Sequence, residues 1–492
     1  MSDIVDLNWL DRAVNFVSPS TGVRRVQARM ALDMARSYEA AKVGRRGEGW
    51  KAGSGNANAE ILPALSRVRN RCREVVRNNE YASAALNSLV SNTVGIGIIG
   101  KAPNQALWDD WCDYCDADGQ LDMNGLMELA ARTRYESGEV LIRFRQRLPN
   151  DGLVVPLQIQ VLEPDHLDTM KTGPLDNGSY AIAGVEYNSI GQRLAYWLFP
   201  THPGEVIIIG SSRLQSRRVP ASEILHYYRK RRPSQVRGMP EMGVALLRLR
   251  DLGDYEQAEL VRKKIEACFV AFVRTDNESA RLGQAQTNAE SGGRTVNEKV
   301  APGMIKYLSN AESVDFGSPA AFSGYGEYAA TQLHAIAVGA GVTYEQLTGD
   351  LSRVNYSSIR AGLVEFRQRI KQEQWLGLVP MMLNPIALRF QQTAKLAGAQ
   401  REAVQRFEWT MPKLEYVDPL KEVMATKEAI RGGLQSLSEA IRARGDDPEK
   451  VFAEIAKERA RLKTLGILVD SDAAVSESLI DAGTAAKIIG AD

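Results

Sequence analysis

Cysteine and histidine are both scarce, with four of each among 492 residues. Cys72, Cys112, Cys115 and Cys268 are too scattered for a disulfide framework and fit reduced thiols. Cys112 and Cys115 do form a CxxC. A structural zinc site wants a second pair or nearby histidines, and His166, His202, His226 and His334 lie far along the chain. No metal is expected. Long apolar runs are missing too: none approaches the roughly 20 residues of a membrane span. The N-terminus lacks a charged-then-apolar leader, so the expectation is a cytoplasmic chain with no membrane partner. Catalytic signatures are also wanting. There is no GxxxxGK[ST], no HExxH, no GxSxG and no carboxylate cluster at metal-site spacing, so no enzyme activity and no cofactor are expected.

Net charge is close to absent as well, at +1, but that total hides local asymmetry. From Arg213 to Lys264 there are thirteen Lys or Arg against six Asp or Glu, whereas Pro412 to the C-terminus has twelve against fifteen. The first segment is therefore the candidate polyanion-facing surface. Its densest run is Arg229-Lys230-Arg231-Arg232, followed by Arg237, with Lys263 and Lys264 on the long helical stretch beyond Pro240. Lys and Arg bind phosphates without reading sequence, which fits a DNA surface. A solvated helix face paired to Asp251, Asp254, Glu256 and Glu259 fits equally well.

What is present is enough apolar residue, 44%, for several cores, and the length implies two to four domains. Val23 to Tyr38 has helical spacing, and a Gly-rich stretch runs on to Asn56. Glu60 to Val90 reads as helix, with Ile61, Leu65, Val68 and Cys72 on one face. Val94-Gly-Ile-Gly-Ile-Ile-Gly100 is formally a GxGxxG. It comes after a helix rather than a strand, so a glycine-rich helix exit is expected, not a dinucleotide site. Asp116-Ala-Asp118-Gly119 is too short for a calcium loop. Glu139–Arg147, Leu157–Leu162, Val185–Asn188, Leu194–Phe199 and Val206–Ile209 alternate or bunch apolar residues as strands do. His166 and His226, near strand ends, are expected to be hydrogen-bonded structural residues rather than catalytic ones. Helix is expected from Pro240 to about Val273, then a polar excursion with short strands at 301–308 and 313–316. An alanine-rich helix closes at Gly339 and Gly341. A kink or interruption of a later helix is expected at Pro380 and Pro385. Two or three helices, broken at Gly432-Gly433 and Gly445, run from Asp418 to Lys463. Helices flanking a mainly antiparallel strand region give an α+β class.

The stretch from Gly339 to Phe366 organises this pattern. Ile359, Leu363, Phe366 and Ile370 share one helix face, and Ser357 or Ser358 is placed to cap it. Between the two helices, Tyr344-Glu345-Gln-Leu347-Thr348-Gly349-Asp350 and Asn355-Tyr356-Ser357-Ser358-Ile359-Arg360-Ala-Gly362 resemble the lambda-type family of tailed-phage portal proteins. Further phrases resemble it in the same order: Arg77-Asn78-Asn79 with Tyr81-Ala82, Glu136-Ser-Gly138-Glu139, Leu162-Glu163-Pro-Asp165-His166, Val219-Pro220-Ala221 to His226, Arg444-Gly445-Asp446 and Leu465-Gly466.

The resemblance implies a portal fold with a strand-rich wing, helical stem, small α/β clip and helical crown. It implies a ring of about twelve subunits joined head to tail. Carried over, the parts are an N-terminal arm (1–60), wing (61–237), stem helix (238–268), clip (269–317), second stem helix (318–342), tunnel loop (343–358), kinked helix returning to the wing (359–398), crown (399–470) and tail (471–492). Implied with them are a channel for double-stranded DNA at one capsid vertex and docking of the terminase large subunit. Major capsid, scaffold and head-completion or adaptor proteins are the other implied partners. The implied place is the virion, and the host cytoplasm during assembly. In the loop, Thr348, Asp350, Ser352, Arg353 and Asn355 would line the channel. The rival readings are a non-portal DNA-binding scaffold and a nucleotide-dependent enzyme.

Overall fold

The computed structural model describes residues 53–176, 178–206, 215–267, 271–274, 305–308, 324–352, 355–413, 415 and 418–467. The helix expected over 23–38 and the strand at 313–316 lie outside these residues, as do three of the four positions of the strand expected at 206–209. The chain divides into two units, Met1–Asn56 and Ala57–Asp492, and the described helices and strands all belong to the second.

The helical signal from Glu60 to Val90 resolves into two helices, α1 (Ala57–Asn78) and α2 (Glu80–Val94). They part at Asn79, whose extended backbone and side-chain oxygen, accepting from the Ala82 amide, start a new helix. Gly95 and Gly97 then take positive φ angles and lead out of α2 into β1 (Ile99–Lys101), as a helix exit should. Next come α3 (Gln105–Tyr114) and α4 (Met123–Ser137). Between them Asp116 accepts from the amides of Asp118, Gln120 and Leu121, so its carboxylate organises a turn.

The strands come next. β2 (Glu139–Gln146) sits centrally in a three-stranded antiparallel sheet, between β3 (Leu157–Leu162) and, later in sequence, Ile224–Tyr228. A second, five-stranded antiparallel sheet runs in order through β4 (Gly173–Pro174), β5 (Tyr180–Ile182), β6 (Val185–Tyr187), β7 (Arg193–Leu198) and β8 (Arg217–Pro220). The Ile224–Tyr228 strand is β9. β2 was expected to bury one face. Its first half instead buries both: Val140, Ile142 and Phe144 join one core cluster and Leu141 another.

After β9 a 3-10 turn at Glu241–Val244 leads into α5 (Leu246–Ala267). The helix expected to run on to Val273 ends earlier, and β10 (Ala271–Arg274) pairs in parallel with β11 (Ile305–Leu308). Then come α6 (Tyr325–Ala340), the short α7 (Tyr344–Thr348) and α8 (Tyr356–Glu373). Of the kink or interruption expected at Pro380, no interruption occurs. Helix continues through a π-helical stretch, Gln374–Leu383, into α9 (Asn384–Leu396), with Pro385 in the first turn of α9. The wider i→i+5 turns take in Pro380, which has no N–H to contribute, so the register changes while the helix continues. β12 (Glu408–Thr410) returns to pair with β1. The three C-terminal helices are α10 (Pro419–Arg431), α11 (Leu437–Ala443) and α12 (Pro448–Leu465), separated at the glycines as expected.

Two core clusters place these elements. One joins Trp108, Trp111, Leu126, Ile142, Leu378, Phe390 and Trp409, hence α3, α4, β2, the π stretch, α9 and β12. The other joins Leu86, Leu249, Leu333, Leu347, Phe366 and Ile370, hence α2, α5, α6, α7 and α8. Backbones meet most closely where Gly138, at φ 91°, faces Gly238. A Cβ on Gly238 would collide with the Gly138 carbonyl, and one on Gly138 with Met239 and Pro240. Glycine is required at both positions.

Candidate functional site

The segment expected to be a long polar loop is mostly structured. Thr343 and Gln346 form a reciprocal capping box: the Thr343 hydroxyl accepts the Gln346 amide at 3.3 Å and the Gln346 side chain accepts the Thr343 amide at 3.0 Å. That starts α7, whose Leu347 is buried in the core. Gly349, at φ 71°, closes it by donating to the Glu345 carbonyl.

The true connection is therefore only residues 349–355, and its polar side chains are largely spent on the backbone. Thr348 Oγ1 donates to the Tyr344 carbonyl at 2.9 Å and accepts the Asp350 amide at 3.1 Å. Asp350 Oδ1 accepts from the Ser352 amide and hydroxyl. Asn355, not Ser357 or Ser358, is the N-cap of α8, and it accepts the Ser358 amide at 2.9 Å. Leu351 and Ser352 stand exposed at the turn. Arg353 lies outside the described residues.

The basic segment separates into two fates. Arg237 is not a surface cation: it is fully buried, with Nη2 at 2.7 Å from Glu139 Oε1. Glu139 also receives Arg69 at 2.7 Å, His226 Nε2 at 2.9 Å and the Gly238 amide at 2.8 Å. A charge buried without partners costs several kcal/mol, which is why four donors converge on one carboxylate. Burial opposes ionisation of Glu139, yet Arg237, His226 and Arg69 hold its carboxyl far below the usual range. Burial pushes His226 down to about 4, so at neutral pH it donates as a neutral ring.

The remaining cations stay outside. Arg232 pairs with Glu60, and Lys263 and Lys264 are exposed on α5. Arg229, Lys230 and Arg231 line an open concavity of about 550 Å³ together with Glu241, Val244, Gly339 and Arg369. Glu241 Oε1 meets Arg231 at 2.9 Å, Arg229 at 3.6 Å and Arg369 as well. Its Oε2 accepts from Arg134 at 3.1 Å, and Arg134 in turn bonds Glu373 at 3.0 Å. Tyr227 closes this network on Glu373 at 2.7 Å. Burial opposes the charge on Glu241, but Arg134, Arg231, Arg369 and Arg229 hold its carboxyl down at about 2.

Arg69, Arg134, Glu139, Glu241, Arg369 and Glu373 escaped the sequence reading. One signal was there: Arg134 interrupts a buried face between Ala130, Ala131 and Tyr135, and Glu139 stands directly before the apolar run Val140–Ile142.

These depressed values set the acid response. A group with a lowered folded pKa stabilises above its unfolded value, and that stability is lost as pH falls. For His226 the loss runs from its ordinary 6.5 down to about 4. Glu139 and Glu241 add further loss below their ordinary 4.5. The melting temperature should be flat above neutrality and fall steadily from pH 6.5 downward, and His226→Gln should remove the upper part of that fall. A flat profile down to pH 5 would contradict the assignment.

Among the described residues, Glu163, Asp165 and His202 place one ligand atom each within 4.8 Å of one another. Arg73 already holds both carboxylates, at 3.2 and 2.7 Å, and Arg69 adds a contact to Asp165 at 3.5 Å. That donor set is an ion-paired network, which a divalent cation would have to displace. The Cys112–Cys115 pair fits zinc poorly: burial pushes both thiols up, Cys115 to about 12, away from the thiolate a metal binds. His166 Nδ1 is 3.1 Å from the Phe199 carbonyl, a structural role like that of His226.

In this arrangement the buried charges are held in ion-paired networks, and α7 and α8 meet at a short capped turn. A family profile described as "Phage portal protein, lambda family" matches residues 43–374. The chain belongs to that family, whose members are structural components rather than enzymes. Among curated proteins it is 25% identical to the probable portal protein of Halomonas phage phiHAP-1 over 472 residues, covering 89% of each chain. It is 22% identical to portal protein B of Escherichia phage lambda, covering 85% of this chain and 88% of that one. Among solved structures, the neck of a native GTA particle computed with C12 symmetry gives a TM-score of 0.42 at 16% identity, covering 77% of this chain and 94% of the other.

Proposed function

We propose that copies of this chain close into a ring of about twelve at one capsid vertex, with interfaces running head to tail. Double-stranded DNA passes through its channel during packaging and ejection. The terminase large subunit docks outside, and head-completion proteins replace it once packaging ends. The observation that carries this reading is family membership over residues 43–374. In the family's terms, residues 61–237 form the wing, α5 and α6 the stem, residues 269–317 the clip and residues 399–470 the crown. The turn between α7 and α8 is the loop facing DNA. DNA is met as a uniform polyanion, so contacts to it are weak, numerous and salt-sensitive.

Negative-stain microscopy of the purified chain tests the assembly directly. Rings with a central hole are expected, and monomers or dimers at every salt and protein concentration would sink the proposal. Arg353→Glu should leave these rings intact while lowering packaged DNA length in assembled particles, because each copy would present a negative charge to the duplex. Normal packaging by that variant would show that the loop does not touch moving DNA.

A further inference from the structure

The concavity around Glu241 is short of an anion. Three guanidinium groups, from Arg229, Arg231 and Arg369, converge on a single carboxylate oxygen that offers two lone pairs. The other oxygen is taken by Arg134, whose charge is balanced by Glu373. Lys230 lines the same space and has no ion pair among the described residues. Four exposed or half-exposed cations therefore face one internal carboxylate across about 550 Å³. Guanidiniums held this close repel one another, and a second oxyanion would relieve that repulsion.

We infer that this pocket receives acidic side chains from a second copy of the chain, supplied by the exposed face of α3 that carries Asp109, Asp110 and Asp113. The inference rests on the ring reading and names one contact within it. The charge distribution selects the occupant. From Ala102 to Ala131 the sequence holds seven acidic residues and no Lys or Arg. Asp109, Asp110 and Asp113 are exposed, and none has an ion pair among the described residues. In a heterologous ring each copy must present two different complementary surfaces, and this acidic stretch and this basic pocket are complementary in charge.

The lip of the pocket favours protein over nucleic acid. Val244 lines it at 79% exposure, and Val338, beside Gly339, is 81% exposed. Exposed valines suit an amphipathic helix face rather than a phosphate backbone.

The test is charge reversal in the full chain, read by mass photometry near physiological salt. Lys230→Glu with Arg231→Glu should cut the fraction in large assemblies at least about tenfold, and Asp110→Lys with Asp113→Lys should do the same. All four changes in one chain should restore assembly, because the contact is rebuilt with its signs exchanged. Arg231 pairs with the buried Glu241, so Lys230→Glu alone, and Asp110→Lys with Asp113→Lys, none of whose side chains has an ion pair among the described residues, should keep melting temperatures near wild type and exclude misfolding. Assembly indifferent to reversal, or not restored by the fourfold variant, overturns the contact. Intact rings with reduced DNA content would show instead that the pocket meets phosphate. Wild-type chain that stays monomeric sinks the ring reading itself, whereas rings that ignore the reversal sink only this contact.

Discussion

Glu139→Ala is expected to destabilise the fold by about 3–5 kcal/mol, the range for removing one partner of a buried ion pair. The carboxylate is fully buried and takes Arg69, Arg237, His226 and the Gly238 amide at once. Without it, two buried guanidiniums face each other with no counter-charge. Arg69 keeps only a 3.5 Å contact to Asp165. The effect should exceed that of Arg237→Met, which removes one cation but leaves Glu139 with Arg69 and His226. Thermal melting checks this: for a chain of this size the midpoint should drop by roughly 3–5 °C. A change of less than about 2 °C would mean that water reaches the site and that the network is not a core element.

Trp108→Ala should cost about as much, 3–5 kcal/mol on the usual scale for truncating a buried tryptophan. Its ring lies 4.9 Å from Phe407, 5.0 Å from Phe390 and 5.2 Å from Trp111, with Trp409 at 6.3 Å. These rings come from α3, from α9 and from the segment around β12, which are about three hundred residues apart in sequence. Truncation would therefore loosen the β1–β12 pairing as well as leave a cavity. Trp375, half exposed, provides the control: Trp375→Ala should stay within about 0.5 kcal/mol. Chemical denaturation followed by tryptophan fluorescence separates the two. Equal midpoints for both variants would contradict the packing described.

The elements that sequence periodicity revealed are those whose pattern is local. β2 and β3 alternate along their own length, and the three C-terminal helices are punctuated by Gly432-Gly433 and Gly445. The capping box of Thr343 and Gln346 was also local, four residues long, but the polar character of the stretch concealed a five-residue helix. Asn79 stands inside a family phrase and Asn355 is expected to line the channel, whereas their capping role depends on backbone angles that no spacing encodes. Buried charges were the least legible. Arg237 stands five residues from a solvated basic run and looks like part of it. Its partner Glu139 is 98 residues away, and Arg134 finds Glu373 across 239. Charge runs report composition, while burial is settled by which distant residue arrives opposite. The family phrases conveyed more about function than any single residue, since a structural component's role lies in assembly rather than in a reactive constellation.

The passage from α8 through the π stretch into α9 has a mechanical meaning. It is one uninterrupted strut, Tyr356 to Leu396, of about 60 Å at ordinary helical rise. Phe366 and Ile370 seat its first half in one core, and Leu378, Met382 and Phe390 seat its second half in the other. Arg369, five residues before the π stretch, grips Glu241. A load applied at the turn would travel down a stiff member clamped at both cores and would reach the guanidinium cluster after about 20 Å. The wide-turn section is the one part of that member with altered bonding, so torsion would be taken up there. Tip, clamp and compliant segment lie on a single axle.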